Sequence, residues 1–133
     1  MEKEWLNLHK QVMDKIKTEK ISPFIKVGNT GCLIETANNI YIGLDIMDSN
    51  NISSNSLKNA INLMLHNNIE SIKKIIMTNE LGEIIIPDLI TLESLLELNQ
   101  NIETIDILTS IEPFTTKKIS QIIPASWGII KQK

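Results

Sequence analysis

Stretches with helical apolar spacing alternate with short extended apolar runs along this chain. That alternation limits the folds open to it more than any other feature. Trp5, His9, Val12, Met13 and Ile16 recur at helical intervals and predict a first helix over Lys3–Thr18. Ser22-Pro23 closes it, because the residue before a proline avoids the α region. Two strand-like runs follow, Gly31–Thr36 and Ile40–Ile46, joined by Ala37-Asn38-Asn39, whose asparagines suit a tight hairpin. The serines and asparagines of residues 49–56 predict a loop that supplies helix caps. Leu57, Ala60, Ile61, Met64 and Leu65 stripe a second helix that ends near Asn67-Asn68. Ile72–Met77 reads as a buried strand, and Leu81-Gly82 as a turn into the apolar run Ile84-Ile85-Ile86. Pro87-Asp88 opens a third helix, with Asp88 as N-cap and Leu89, Leu92, Leu95 and Leu96 toward the core. Ile102–Leu108 reads as a strand, followed by an extended piece around Pro113-Phe114 and a helical turn at Lys117–Ile122. The order αββαβαβ predicts an α/β fold with helices on both faces of a sheet.

Composition narrows the function. A chain of 133 residues suits one domain over 1–133, and with 42% hydrophobic but only 4% aromatic residues its core must be aliphatic. All 13 basic residues are lysine, and the net charge is -3. Without arginine's planar fork and with an acidic balance, nucleic acid is not an expected partner. The lone Cys32 excludes an intramolecular disulfide and fits a reducing compartment. The charged start Met1-Glu2-Lys3-Glu4-Trp5 lacks the apolar run of a signal peptide, and no stretch suits a membrane span. These features predict a cytoplasmic protein with no membrane partner.

Four stretches carry a resemblance. Tyr41-Ile42-Gly43-Leu44-Asp45-Ile46 resembles the Y-T-G-x-N-V-E-N strand of cytidine deaminases. Asn55-Ser56-Leu57-Lys58-Asn59-Ala60-Ile61 lies where that family has C-A-E-R-T-A-I at a helix start, and Ile86-Pro87-Asp88-Leu89-Ile90-Thr91-Leu92-Glu93 where it has P-C-x-x-C-R-Q. Ile122-Ile123-Pro124-Ala125-Ser126-Trp127 resembles its closing L-L-P-x-x-F. The resemblance spans nearly the whole chain and implies a three-layer αβα domain with a mixed sheet of about five strands. It also implies a homo-oligomer, dimer or tetramer.

The same comparison removes the chemistry. Deamination of cytosine needs a zinc-bound hydroxide and a non-ligand glutamate that moves the proton. By the resemblance, the three ligand positions fall on Asn55, Asp88 and Thr91, and the glutamate position on Leu57. Asparagine and threonine are poor zinc ligands, Asp88 would stand alone, and leucine carries no proton. Losing the metal costs about eight orders of magnitude in hydroxide at neutral pH, because zinc lowers the pKa of bound water from about 15.7 to roughly 7. Zinc is therefore not expected, and no catalytic residue is assigned. Asp45 and Met47 stand where the family's strand holds ribose hydroxyls; Asp45 can accept hydrogen bonds, and Met47 cannot. A cavity lined by Asp45, Asn55, Leu57, Asp88 and Thr91 would bind a small polar, nucleoside-like ligand chiefly through Asp45, Asn55 and Asp88, or be filled by side chains.

Other chemistry-bearing residues have plainer readings. Cys32 reads as a buried strand residue, His9 as a half-buried packing residue, and His66 as a group at a helix end. Glu93, at the family's glutamine position, reads as a solvated helix residue. The open functions are a catalytically silent binding or interaction module, a regulatory partner of an active deaminase included, or a divergent hydrolase (deaminase) of nucleosides or nucleobases that uses Asp45 or Asp88 in another way.

Overall fold

The computed structural model describes residues 2–19, 25–48, 51–68, 70–98 and 100–123. The readings placed on Ser22-Pro23, and on the closing echo beyond Ile123, lie outside them. The elements run α1 (Glu2–Thr18), β1 (Ile25–Thr36), β2 (Ile40–Asp48), β3 (Asn51–Ser54), α2 (Ser56–Asn67), β4 (Ile72–Asn79), α3 (Leu89–Leu96), β5 (Asp106–Ser110), β6 (Thr115–Lys118) and α4 (Ile119–Ile122). The strands form one sheet in the order β3-β2-β1-β4-β5-β6. β4 and β5 are parallel and every other neighbouring pair is antiparallel, so the sheet is mixed as expected.

Strand periodicity divides the core into two halves. On one face α1 packs Trp5, Leu8, Val12 and Ile16 against Leu33, Leu44, Ile76 and Leu108. On the other, α2 and α3 bring Leu57, Ala60, Met64, Leu92 and Leu95 onto Cys32, Ile34, Ile75 and Ile107. The three-layer αβα reading therefore holds. Acidic Glu2 and Glu4 at the start of α1, with Lys15 and Lys17 at its end, complement its dipole. No described helix is long and apolar enough to cross a membrane.

Two glycines set the layer spacing. A Cβ at Gly31 on β1 would lie 2.7 Å from Val12 Cγ1 of α1. A Cβ at Gly43 on β2 would run into the backbone of α2 at Ser56, Asn59 and Ala60. Each glycine lets a helix approach the sheet, from opposite sides.

Several expectations change. Among the described residues the sheet gains one short edge strand, because Asn51–Ser54 pairs with β2 through Ile46↔Ser54 and Met47↔Ile52 where a loop was expected. Ile102 and Ile105 are buried, but they lie before β5 in a turn rather than in a strand. Of the run Ile84–Ile86, Ile84 makes a single bridge to Thr78. Leu65 and Leu89 do not face the core: they are 41% and 36% exposed. Hydrophobic spacing marked the right helices but overestimated the width of their buried stripes.

Candidate functional site

The positions singled out by the resemblance cluster at two helix starts and one strand end. Asn55 is the N-cap of α2, and its Oδ1 accepts the Lys58 amide at 2.8 Å. Asp88 is the N-cap of α3, and its Oδ1 accepts the Thr91 amide at 2.8 Å. That amide, with the Thr91 hydroxyl and the Ile90 amide, holds the Asp88 carboxyl below its ordinary range. Both side chains satisfy donors that a helix start leaves unpaired. Thr91 is half-buried one turn into α3. Leu57 is fully buried and shares a core cluster with Leu92.

Asp45 sits at the junction of β2 and α2. It is buried, and its Oδ1 accepts the Ser56 amide at 2.7 Å. Burial pushes its carboxyl up, against the opposing pull of the Ser56 amide and the nearby Ser56 and Thr30 hydroxyls. The Ser56 hydroxyl is itself fully buried, and its Oγ meets hydrogen-bond geometry with no described group. Met47 is half-buried on β2. The structure thus joins Asp45 to the start of α2 through the residue after Asn55, whereas the Asp88 and Thr91 contacts stay within α3.

These residues do not fit a zinc site. Asn55 and Thr91 offer only an amide oxygen and a hydroxyl, Asp88 would be the lone carboxylate, and Leu57 has no proton to give. Cys32 is fully buried on β1, where burial and the neighbouring Asp45 charge push its thiol far up, away from the thiolate that a metal or an electrophile requires. His9 is buried on α1, with Nε2 3.0 Å from Thr78 Oγ1 of β4, and His66 is exposed on α2. Among the described residues no three His, Cys, Asp or Glu side chains converge on a common point.

Sequence reasoning missed two site residues. Ser56 attracted no notice because its neighbours carried the family pattern. Asn59 donates through Nδ2 to Leu44 O at 2.7 Å and to Ser54 Oγ at 3.0 Å, tying α2 to β2 and β3. Its place one helical turn after Asn55, on a face otherwise turned to the sheet, was the available signal.

The sequence matches no protein-family model and no curated protein. Solved structures do match. The cytidine deaminase from Mycobacterium leprae superposes with a TM-score of 0.70 at 13% identity, covering 90% of this chain and 97% of that one. The cytidine deaminase from Mycobacterium tuberculosis gives 0.70 at 10% identity, over 90% and 94%. That from Burkholderia pseudomallei gives 0.58 at 14%, over 87% and 96%. The chain has the fold of these proteins, as its sequence resemblance implied.

Proposed function

We propose that this chain, a cytidine-deaminase fold, is a catalytically silent module whose role is binding rather than deamination. One observation carries the reading. The residues at the ligand and proton-transfer positions are engaged in holding the fold: Asn55 and Asp88 cap helices, and Leu57 is core. Asp88 alone keeps a carboxylate oxygen of metal-binding character, while an asparagine amide and a leucine supply no zinc ligand and no proton carrier beside it. We read the module as a cytoplasmic homo-oligomer, in line with Ile86 and Ile90, which are 53% and 82% exposed around the start of α3, and with Leu81, which is 79% exposed in the turn after β4.

The test combines metal analysis with an ammonia assay on cytidine, using protein purified free of contaminating deaminase. Neither bound zinc nor ammonia is expected. Stoichiometric zinc, or ammonia release that tracks the protein, would overturn the reading.

A second reading concerns the ligand. The buried Ser56 hydroxyl beside Asp45, which meets hydrogen-bond geometry with no described group, favours a small polar, nucleoside-like molecule held by Asp45 and by the polar atoms of Asn55 and Asp88 that the helix amides leave free. A ligand that binds only the native state must raise its melting temperature. Stabilisation by cytidine or uridine that Ser56→Ala abolishes supports this reading, and the absence of any shift across a nucleoside panel removes it.

A further inference from the structure

A groove of about 420 Å3 lies along the outer edge of β2 and reaches the first turn of α2 at Asn59. Its floor is Ile42, Gly43 and Leu44; Lys15 of α1 and Asn62 and Leu63 of α2 stand on either side. β3 covers only the far end of that edge, pairing with Ile46 to Asp48.

The main chain at this edge points outward. Thr36 N donates to Asn39 O at 2.9 Å and closes the β1–β2 hairpin. Hydrogen-bonded pairs alternate along an antiparallel ladder, so Ile34↔Tyr41 and Cys32↔Gly43 are the next such pairs. Ile40, Ile42 and Leu44 then turn their N–H and C=O groups away from β1. The Asn59 amide on Leu44 O agrees with this phase and satisfies one of those groups. Natural edges are guarded by charge, proline or bulges. The segment Ile40-Tyr41-Ile42-Gly43-Leu44 has no charge or proline, and its register with β1 is unbroken.

We propose that this edge binds one extended peptide strand of a partner protein, antiparallel to β2 and end to end with β3. The strand would carry apolar side chains at alternate positions. This deepens the binding-module reading and rests on it. A second copy of the chain does not suit the groove. The contact of α2 backbone with Gly43 places that helix directly above β2. Two sheets joined edge to edge hold their strands about 4.8 Å apart, which would bring the two α2 helices well inside the 8–10 Å that packed helices need. A lone strand brings no helix with it. Its main chain would bond Ile42 and Ile40 in the manner of β-strand addition.

The test selects heptapeptides from a random phage-displayed library against the full chain, then measures the affinity of the synthetic peptides. Peptides with alternating apolar residues are expected. N-methylation at alternate peptide amides should weaken binding at least tenfold, and methylation at the intervening amides should not. Leu63→Glu, on an exposed residue beside the groove (46% exposed), should weaken binding without changing the melting temperature. Ile42→Pro, which removes an outward N–H, should do the same if it folds. Recovery of no peptide, or binding indifferent to N-methylation, overturns the proposal. So does a dimer that Leu63→Glu dissociates, because a second copy would then cover the edge. Peptides lost on Ile90→Lys but not on Leu63→Glu overturn this site while leaving the binding-module reading in place. Ammonia release from cytidine would remove that reading without touching the strand measurements.

Discussion

Asp45 on β2 and Ser56 at the first turn of α2 are joined by a buried 2.7 Å hydrogen bond from the Ser56 amide to Asp45 Oδ1. Burial raises the Asp45 carboxyl above its ordinary value of 3.8. In the window between 3.8 and the folded value the native state therefore holds more protons than the unfolded one. Stability at this site falls as pH rises through that window. Asp45→Asn keeps the acceptor and removes the charge, so at pH 7 it should melt no lower than the parent, with any gain vanishing in acid. Asp45→Ala strands the amide and should cost about 1–3 kcal/mol. Urea unfolding at pH 4 and pH 7 measures both; equal losses for the two variants would show that the bond needs the charge.

Leu57→Glu restores the family's proton carrier in name only. The carboxyl would enter a fully buried, apolar core position with no partner, and desolvating an unpaired ionisable group there costs several kcal/mol or forces it neutral. Failure to fold, or a loss above about 3 kcal/mol, is expected, against less than about 1.5 kcal/mol for Leu57→Met. Denaturant titration of the pair decides it.

The caps should behave as caps. Asn55→Ala is expected to cost about 0.5–2 kcal/mol, with Asn55→Ser near neutral. Asp88 has a depressed folded value, so its contribution is present above 3.8 and fades as pH falls through the folded value. Asp88→Ala should therefore lower the melting temperature at pH 7 and narrow that deficit in acid. A deficit independent of pH would refute the charge-assisted cap.

Gly43→Ala should be more damaging than Gly31→Ala. The new methyl at position 43 meets helix backbone, whereas at 31 it meets the ends of Val12, Leu44 and Ile16 side chains, which can yield. Overpacking of the yielding kind costs about 1–3 kcal/mol, and Gly43→Ala should exceed that range. Comparison of melting temperatures tests the order.

His9 supplies a second pH dependence. Burial lowers its folded value below 6.5, partly offset by the Gly82 carbonyl. Between that folded value and 6.5 the unfolded chain binds more protons, so stability rises with pH across this window and levels off above it. His9→Gln should flatten that rise in urea titrations at pH 5 to 7.5.

The cap positions were legible because capping is local: an Asx residue just before an apolar stripe announces itself, as Asn55 and Asp88 do. The layers were legible from the two periods in residues such as Val12 and Leu33. β3 was not, since Asn51-Ile52-Ser53-Ser54 carries a single apolar residue and so shows no alternation in sequence. Neither were the roles of Asn59 and Gly43, which depend on how closely α2 lies over β2. Ile102 and Ile105 are buried, and their carbonyls accept the Ser120 and Ile119 amides at the start of α4, so an apolar spacing that reads like a strand here belongs to a turn.

The Asp88 cap also sets the sign of the electric field at the start of α3. A bare helix N-terminus, with its exposed amides and partial positive charge, attracts phosphates and other anions. Here the Asp88 carboxylate already occupies that position, and at the start of α2 the Asp45 carboxyl reaches across from β2 to the Ser56 amide while Asn55 caps the helix. Nucleotide phosphates and polyanionic strands approaching these helix ends would meet carboxylate oxygens rather than amide protons. Uncharged molecules would not meet this repulsion.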